Sequence, residues 1–435
     1  MTDGDGGYAL RVPGPVIEIA RTLQRAGFET WCVGGAVRDA LLGEVHLDWD
    51  LATAATPPQV RRLFARTIPV GIEFGTVGVL DREHRMHEVT TFRRDVQTDG
   101  RHAVVEFGAS LDEDLARRDF TINAIAYDPI DRRLRDPFGG RADLVRRVVR
   151  AVGDADARMR EDRLRALRAI RFASRFDFSI EEATWRAIVD SAPFLTRLSP
   201  ERVKQELDKT MEQVGRPSRA FGRWREAGAF AAVVPVLAQV SDEALRTVDA
   251  LPKPGLRGRP MRKLLRVAAL FSDVSGRDAE QAMRALRSSN QDVATVAALV
   301  DRWARYGPAL TRAISDGAVP ADAELRRLAA GVGRLRVAAF VRLAAARWQA
   351  ARVGTPALVR ALHRRLLVIA FGEAIELADL AVDGDDLRRA GVSSGPTLGR
   401  MLHALLAVVI EDPSQNTHDG LLRLAGELGH RAEDA

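Results

Sequence analysis

The stretch WCVGGAVRDALLGEVHLDWDLAT, Trp31 to Thr53, decides how the rest of the chain is read. Its apolar residues Trp31 to Val33 predict a strand that stops at the Gly34-Gly35 turn, followed by a short helix carrying Arg38 and Asp39. A second strand is expected around Leu47 to Leu51. Alternate strand residues share a face, so Asp48 and Asp50 point one way while Trp49 and Leu51 point into a core. Two carboxylates held close repel each other, and a divalent cation relieves that repulsion, so the pair predicts Mg²⁺. Glycine at 34 and 35 lets backbone amides approach phosphate oxygens, and the helix that follows adds its partial positive charge. Triphosphate and metal are expected to meet here.

Working outward, the segment DEDLARRDFTINAIAYD, Asp112 to Asp128, offers Phe120, Ile122 and Ile125 to a core and Arg117, Arg118, Asp119 and Asn123 to chemistry. The segment MREDRLRALRAIRFASRF, Met159 to Phe176, has helical periodicity, with Leu164, Leu167, Ile170 and Phe172 on one apolar side. Asp162 and Arg165 are three apart and are expected on one helix face, where a surface ion pair would be the plain explanation. In MHEVTTFRRD, Glu88 stands on an alternating, strand-like run and is a third carboxylate beside Asp48 and Asp50; Asp119 is the alternative.

The glycine turn and the Asp48/Asp50 pair, in this order, resemble the signature of the DNA polymerase β-type nucleotidyltransferase superfamily. The fuller string resembles the class II CCA-adding tRNA nucleotidyltransferases and the bacterial poly(A) polymerases. Arg117 to Ala124 resembles the family's RRDFTINA block, in which the second arginine, here Arg118, lies near the nucleotide phosphates. Asp136 to Leu144, DPFGGRADL, resembles the next block, a turn closing the catalytic domain. Glu161, Asp162, Arg165 and Arg168 match the EDxxRxxR block, with Arg171 one step further.

That last match implies a way of choosing a base. Cytosine and adenine present an amino donor beside a ring-nitrogen acceptor, whereas uracil and guanine present a carbonyl beside a ring N–H. A carboxylate next to a guanidinium complements the first pattern and clashes with the second. Asp162 and Arg165 would then serve as a protein template, and leaving a buried polar group unpaired costs about 1–3 kcal/mol. The implied reaction is in-line attack of an RNA 3′-hydroxyl on the α-phosphate, with Mg²⁺ held by Asp48 and Asp50 and the triphosphate neutralised by Arg38, Arg118, Arg168 and Arg171.

Within the family, Val70 to Leu80, VGIEFGTVGVL, resembles the pattern of CCA-adding enzymes, where bacterial poly(A) polymerases carry a basic run. The polar stretch between Phe92 and Asp114 is long enough to be the flexible loop of CCA-adding enzymes, and an exposed hairpin would read the same way. The substrates implied are CTP, ATP and the acceptor and T arms of tRNA. Poly(A) addition, partial CC- or A-addition, and a non-catalytic RNA-binding protein are the alternatives.

With 435 residues the chain exceeds one small core. A formal charge of +6 suits a polyanionic partner and is also found in ordinary proteins. One cysteine, Cys32, excludes an intramolecular disulfide and fits a reducing cytoplasm. The first fifteen residues lack a signal-like apolar run, and no segment has the apolar length of a membrane span.

Beyond Phe176, Ala, Leu and Arg recur at helical spacing, so the expected architecture is α+β (mixed): an N-terminal nucleotidyltransferase head with a small β-sheet, then an all-α neck, body and tail. The boundaries expected are 1–150 for the head, 151–215 for the neck with its nucleotide-selecting helix, 216–375 for the body and 376–435 for a tRNA-binding tail. Ser199 opens the segment PERVKQELDKTM, which resembles a further family block, and Arg202 is placed to brace the template helix. Leu264 to Gly276 resembles the position of an HD phosphohydrolase motif, but Ser272 replaces its histidine, which argues against a second phosphatase activity. Gly391 to Gly399 is expected to open a helix near Thr397 that receives an RNA phosphate.

Overall fold

The computed structural model describes residues 9–45, 48–98, 103–254 and 260–433. They fall into two compact units, one formed by Met1–Thr210 with Arg219–Ala238, the other by Met211–Ser218 with Gln239–Ala435.

The first unit begins with helix α1 (Gly14–Arg25), strand β1 (Thr30–Val33), helix α2 (Gly35–Leu41) and strand β2 (Asp50–Thr53). Helix α3 (Pro57–Leu63) leads to strands β3 (Thr67–Pro69), β4 (Thr76–Leu80), β5 (Met86–Thr91), β6 (Arg93–Thr98) and β7 (Ala103–Phe107). Helix α4 (Leu111–Ala116), strands β8 (Ala126–Asp128) and β9 (Arg133–Arg135), and helix α5 (Gly140–Arg146) complete the sheet-bearing part.

Seven strands form one sheet in the order β3-β4-β5-β2-β1-β8-β9. The β2–β5 pair is parallel and the other five strand pairs are antiparallel, giving a mixed sheet. Alternation along β2 and its approach buries Trp49 and Leu51 almost completely, as the sequence pattern requires. Phe120, Ile122 and Ile125 are fully buried.

Strand β2 starts at Asp50, later than expected, and Leu47 lies outside the described residues. The cause is its partner: Val33, the last residue of β1, pairs with Asp50, and Gly34 then leaves the sheet at φ +79°. Asp48 therefore precedes the paired strand and is exposed.

The stretch after Phe92 is an antiparallel β6–β7 hairpin followed by α4, rather than an open loop; residues 99–102 lie outside the described residues. Ser110 caps α4 through a reciprocal box with Glu113, which fixes where the helix starts.

The block Asp136–Leu144 closes as a turn: Asp136 accepts the amides of Gly140 (2.7 Å) and Arg141 (2.9 Å). Buried Asp143 accepts Thr121 Oγ1 at 2.6 Å and Arg150 Nε at 2.9 Å, tying α5 to the segment before β8. Beyond it, Val148–Val149 pairs in parallel with Ser179–Ile180, so the region after Phe176, expected to be all helical, contributes two residues of strand.

Helix α6 (Ala155–Glu161) and helix α7 (Leu164–Phe176) replace the single helix expected over Met159–Phe176. Asp162 breaks it: at φ −147°, ψ 104° it is extended, and its Oδ1 accepts the Leu164 amide at 3.0 Å where α7 starts. The apolar face of α7 is as predicted, with Leu164, Leu167, Ile170 and Phe172 buried. The Pro200–Gln213 helix supplies Arg202 and Glu206 to the unit's side-chain network.

The second unit is helical throughout its described residues, its longest helix being Asn290–Ser315. Trp303, Phe340 and Trp348 cluster in its core, with Trp303 6.4 Å from each of the other two rings. Arg266 is buried there, donating to the carbonyls of Met211 (2.6 Å) and Leu251 (3.0 Å); burial pulls its guanidinium down to about 10. A separate apolar cluster of Val382, Leu387, Leu405, Val409 and Leu421 unites the last helices. The helix expected near Thr397 runs over Pro396–Glu411, capped by Gly395 at φ +89°. Among the described residues, no helix is long and apolar enough to cross a membrane.

Candidate active site

A cavity of about 420 Å³ in the first unit gathers residues from four separate segments: Gly34, Gly35 and Arg38; Asp50; Arg117, Arg118, Asp119 and Asn123; and Asp162, Arg165, Arg168 and Phe172. Gly34 is the pivot. A Cβ there would lie 3.2 Å from Arg118 Nη1 and 3.8 Å from Asp50 Oδ2, so a side chain would wedge between the cation and the carboxylate. Its left-handed φ of +79° is a second reason for glycine.

Around this pivot the cations are held by carboxylates and rings. Arg38, 3% exposed, donates Nε to Asp39 Oδ1 at 2.8 Å and Nη1 to Asn123 Oδ1 at 2.5 Å. Its guanidinium lies 5.0 Å from the Phe172 ring centre and 4.6 Å from that of Phe176. Burial pulls the Arg38 guanidinium below the ordinary arginine range, with Asp39 opposing the shift. Asn123 is oriented from its other side, donating Nδ2 to Asp119 Oδ1 at 2.9 Å.

Asp119 also accepts Arg168 Nε at 2.8 Å. Burial works against the Asp119 charge, but Arg168 and the Asn123 hydrogen bond hold its pKa below the usual carboxylate range. Buried Asp114 accepts both Arg117 (2.7 Å) and Arg118 (3.2 Å), and these two guanidiniums likewise overcome its burial. The Arg118 Nε has no hydrogen-bond partner although it is buried.

Asp162 and Arg165 both line the cavity but are not paired with each other. Asp162 Oδ2 accepts Arg202 Nη2 at 2.7 Å, while Arg165 donates to Glu161 Oε2 (3.0 Å) and to the Arg117 carbonyl (2.9 Å). The helix break at Asp162 separates what i, i+3 spacing had placed on one face. Each group is instead fixed by a third party, and both point into the same space.

The carboxylate side is different. Asp50 is pushed up to about 6, first by burial, then by the charges of Glu88 and Asp48, with Arg118 opposing. Glu88 reaches Asp50 through the parallel register of β2 and β5, in which Leu51 sits beside Val89. A buried carboxylate crowded by two further carboxylates is the donor set a hard divalent cation neutralises, so the residues fit such a cation. Among the described residues no three His, Cys, Asp or Glu side chains are already gathered as a metal cluster. Asp48 and Glu88 do not line the cavity itself.

Arg171 is directed elsewhere. It is 3% exposed, donates Nε to buried Glu206 Oε2 at 2.7 Å and lies 4.4 Å from the Phe172 ring, outside the cavity lining. Conversely, sequence reasoning assigned no role to Asp39 and Asp114 and treated Phe172 only as core. Asp114 was legible from its spacing, three and four residues before Arg117 and Arg118 on a helix end. Buried Cys32 lies near Asp50, and burial pushes its thiol up, so it is an unreactive packing residue.

A mixed sheet with a glycine turn after an interior strand, carboxylates at the start of the neighbouring strand and an arginine-lined cavity beside them defines a nucleotidyltransferase head. Residues 30–150 match the poly A polymerase head domain family, and residues 177–240 match the family described as the probable RNA and SrmB-binding site of polymerase A. The chain is 36% identical to the CCA-adding enzyme of Geobacillus kaustophilus over 404 residues, covering 92% of this chain and 93% of that protein. The crystal structure of the Bacillus stearothermophilus CCA-adding enzyme in complex with CTP superposes with a TM-score of 0.74 at 33% identity, covering 97% of this chain and all of that one. The Thermotoga maritima CCA-adding enzyme complexed with tRNA shares the fold, with a TM-score of 0.65 at 21% identity over 96% and 97% of the two chains. The chain belongs to the family of CCA-adding enzymes.

Proposed function

We propose that this protein is a tRNA nucleotidyltransferase that adds C, C and A to tRNA 3′ ends from CTP and ATP without a nucleic-acid template, releasing pyrophosphate. The observation that carries this reading is the single cavity in which Asp50 faces Arg118 across Gly34 while Asp162 and Arg165 share the lining.

In this reading the triphosphate lies against Arg38, Arg118 and Arg168, whose carboxylate partners hold their guanidiniums in place before the nucleotide arrives. The base meets Asp162 and Arg165. Asp162 keeps one oxygen on Arg202, which orients the carboxylate, and Arg165 is steadied by Glu161 and a backbone carbonyl. The RNA 3′-hydroxyl gives up its proton to solvent as its oxygen bonds to the α-phosphorus, and the bond from that phosphorus to the bridging oxygen breaks, so pyrophosphate leaves. Asp48 and Asp50, with Glu88 alongside, would hold Mg²⁺, which when bound would supply Lewis-acid stabilisation of charge on the phosphates. Arg171 supports the phosphate site indirectly, packing on Phe172 and pairing with Glu206.

Residues 1–150 act as the head, 151–215 as the neck that presents the selecting helix, and 216–375 and 376–435 as body and tail that receive the acceptor and T arms of tRNA. The work is assigned to the cytoplasm. Primer extension with Mg²⁺ and a tRNA ending at its discriminator base tests the reading. Offering CTP, ATP and both should yield addition that stops after C, C and A. A long A ladder on any RNA, or C addition alone, would replace it with poly(A) or partial addition.

A further inference from the structure

Next to Asp162 the first unit gathers cations that the protein itself leaves uncompensated. Arg160 lies in the last turn of α6, Arg163 in the break before α7, and Arg197 at the end of the short helical segment Ala192–Arg197. The guanidiniums of Arg163 and Arg197 lie 4.7 and 5.3 Å from the centre of the same ring, Phe194. Arg163 Nη1 donates to Ser191 Oγ at 3.1 Å, which anchors the stack. Phe194 remains 41% exposed.

Among the described residues no carboxylate forms an ion pair with Arg160, Arg163 or Arg197. Their neighbours behave otherwise: Arg158 and Arg165 share Glu161, and Arg202 holds Asp162. Burial, then the positive charges of Arg197 and Arg160, pull the Arg163 guanidinium below the ordinary arginine range. Like charges assembled in this way are relieved by a polyanion. None of the three lines the cavity assigned to the nucleotide.

We propose that Arg163 and Arg197, layered on Phe194, form with neighbouring Arg160 a docking surface for the RNA strand, taking its phosphates and stacking one base on the exposed aromatic–guanidinium layer. The aromatic member favours RNA over an acidic peptide, because a base offers a flat π-face to both ring and guanidinium. The location favours it too, since Arg163 follows Asp162 in the chain and a primer end must reach that neighbourhood. This inference rests on the proposed function for its choice of RNA.

The test measures binding of a tRNA transcript ending at its discriminator base across a salt series, binding of CTP by calorimetry, and single-nucleotide incorporation. In the Arg160→Gln/Arg197→Gln protein, tRNA affinity is expected to fall about tenfold and the log–log salt slope to flatten by about two, one for each phosphate contact removed. CTP binding should be unchanged. Phe194→Ala should weaken tRNA about tenfold without changing the slope, and Phe194→Trp should restore affinity. Unchanged tRNA affinity and slope in the double variant, or an equal loss of CTP binding, would overturn the proposal. Because Arg160 and Arg197 are exposed, the double variant carries the test even if Phe194→Ala fails to fold. A wild-type protein that binds tRNA but extends no 3′ end would refute the function and leave the surface standing on its binding result.

Discussion

Two charge sets meet at Gly34, and they are built on opposite principles. In the arginine set each guanidinium has a carboxylate: Arg38 with Asp39 at 2.6 Å, Arg118 with Asp114 at 3.2 Å, Arg165 with Glu161 at 3.0 Å and Arg168 with Asp119 at 2.7 Å. In the carboxylate set, Asp50 is crowded by Glu88 and Asp48, with Arg118 as the opposing cation. The first set is complete in the free protein and should stabilise it. The second is unfinished and should cost stability until a cation arrives, which separates residues that hold the site from residues that act in it.

The largest effect expected is on the unfinished side. Asp50→Asn should lower nucleotide incorporation roughly 10³-fold, the rate equivalent of about 4 kcal/mol of lost metal-assisted stabilisation. The same protein, free of metal at pH 7, should be more stable than wild type by about 2–3 kcal/mol, from a shift of two pK units. Chemical denaturation checks this, and a destabilised Asp50→Asn would erase the contrast between the sets.

Arg38→Ala attacks the completed side. It leaves the Asp39 carboxylate buried without the guanidinium beside it, although Arg175 stays at 3.2 Å, and should cost about 3 kcal/mol of stability. If Arg38→Ala and Asp50→Asn shifted the denaturation midpoint in the same direction, the two sets would not differ as described.

The base-selecting pair should show smaller effects confined to selectivity. Asp162→Ala or Arg165→Ala should narrow the CTP-to-UTP ratio of kcat/KM by about 10- to 100-fold, matching roughly 1–3 kcal/mol for one unpaired polar contact. Arg202→Ala should narrow it only about threefold, since Asp162 keeps its hydrogen bond from the Leu164 amide and bracing by a single half-buried ion pair is modest. An unchanged ratio in all three variants would remove Asp162 and Arg165 from base selection.

The gentlest probe is pH. Asp50 has a raised pKa in the folded state, so its contribution to stability grows as pH falls from about 7 toward its unfolded value near 4. Asp114 and Asp119 have lowered pKa values, so theirs is present above the ordinary carboxylate range and is lost as pH falls through it. Thermal melting of the metal-free protein should therefore show a rise between pH 7 and 5 before acid destabilisation. Mg²⁺ at pH 7 should stabilise the protein, and Asp50→Asn should abolish both the rise and the metal effect.

Much of the fold was legible because its cues are local. The alternation around Trp49 and Leu51, the Gly34–Gly35 turn and the apolar face of Leu164 to Phe172 each follow from a few adjacent residues, and each appears as read. The hairpin after Phe92 was less legible, because a polar, glycine-bearing run is compatible with strand pairing and with an open loop alike. The break at Asp162 was missed because the apolar period continues across it, while the signal that ends the helix is one carboxylate that accepts the Leu164 amide.

The candidate site divides in the same way. By itself the sequence determined which residue types gather: carboxylates beside a glycine turn, and arginines following in two blocks, enough to place the chain among nucleotidyltransferases. Tertiary structure alone decided who pairs with whom. Asp119 and Arg168 are 49 residues apart, Arg38 and Asn123 are 85 apart, and Glu88 comes to Asp50 through the parallel register of β2 and β5. It likewise turned Arg171 away to Glu206 and gave Asp162 to Arg202 rather than Arg165. Periodicity fixes the face on which a side chain lies, but a charge chooses its partner by distance and desolvation, and both arise only when separate segments pack.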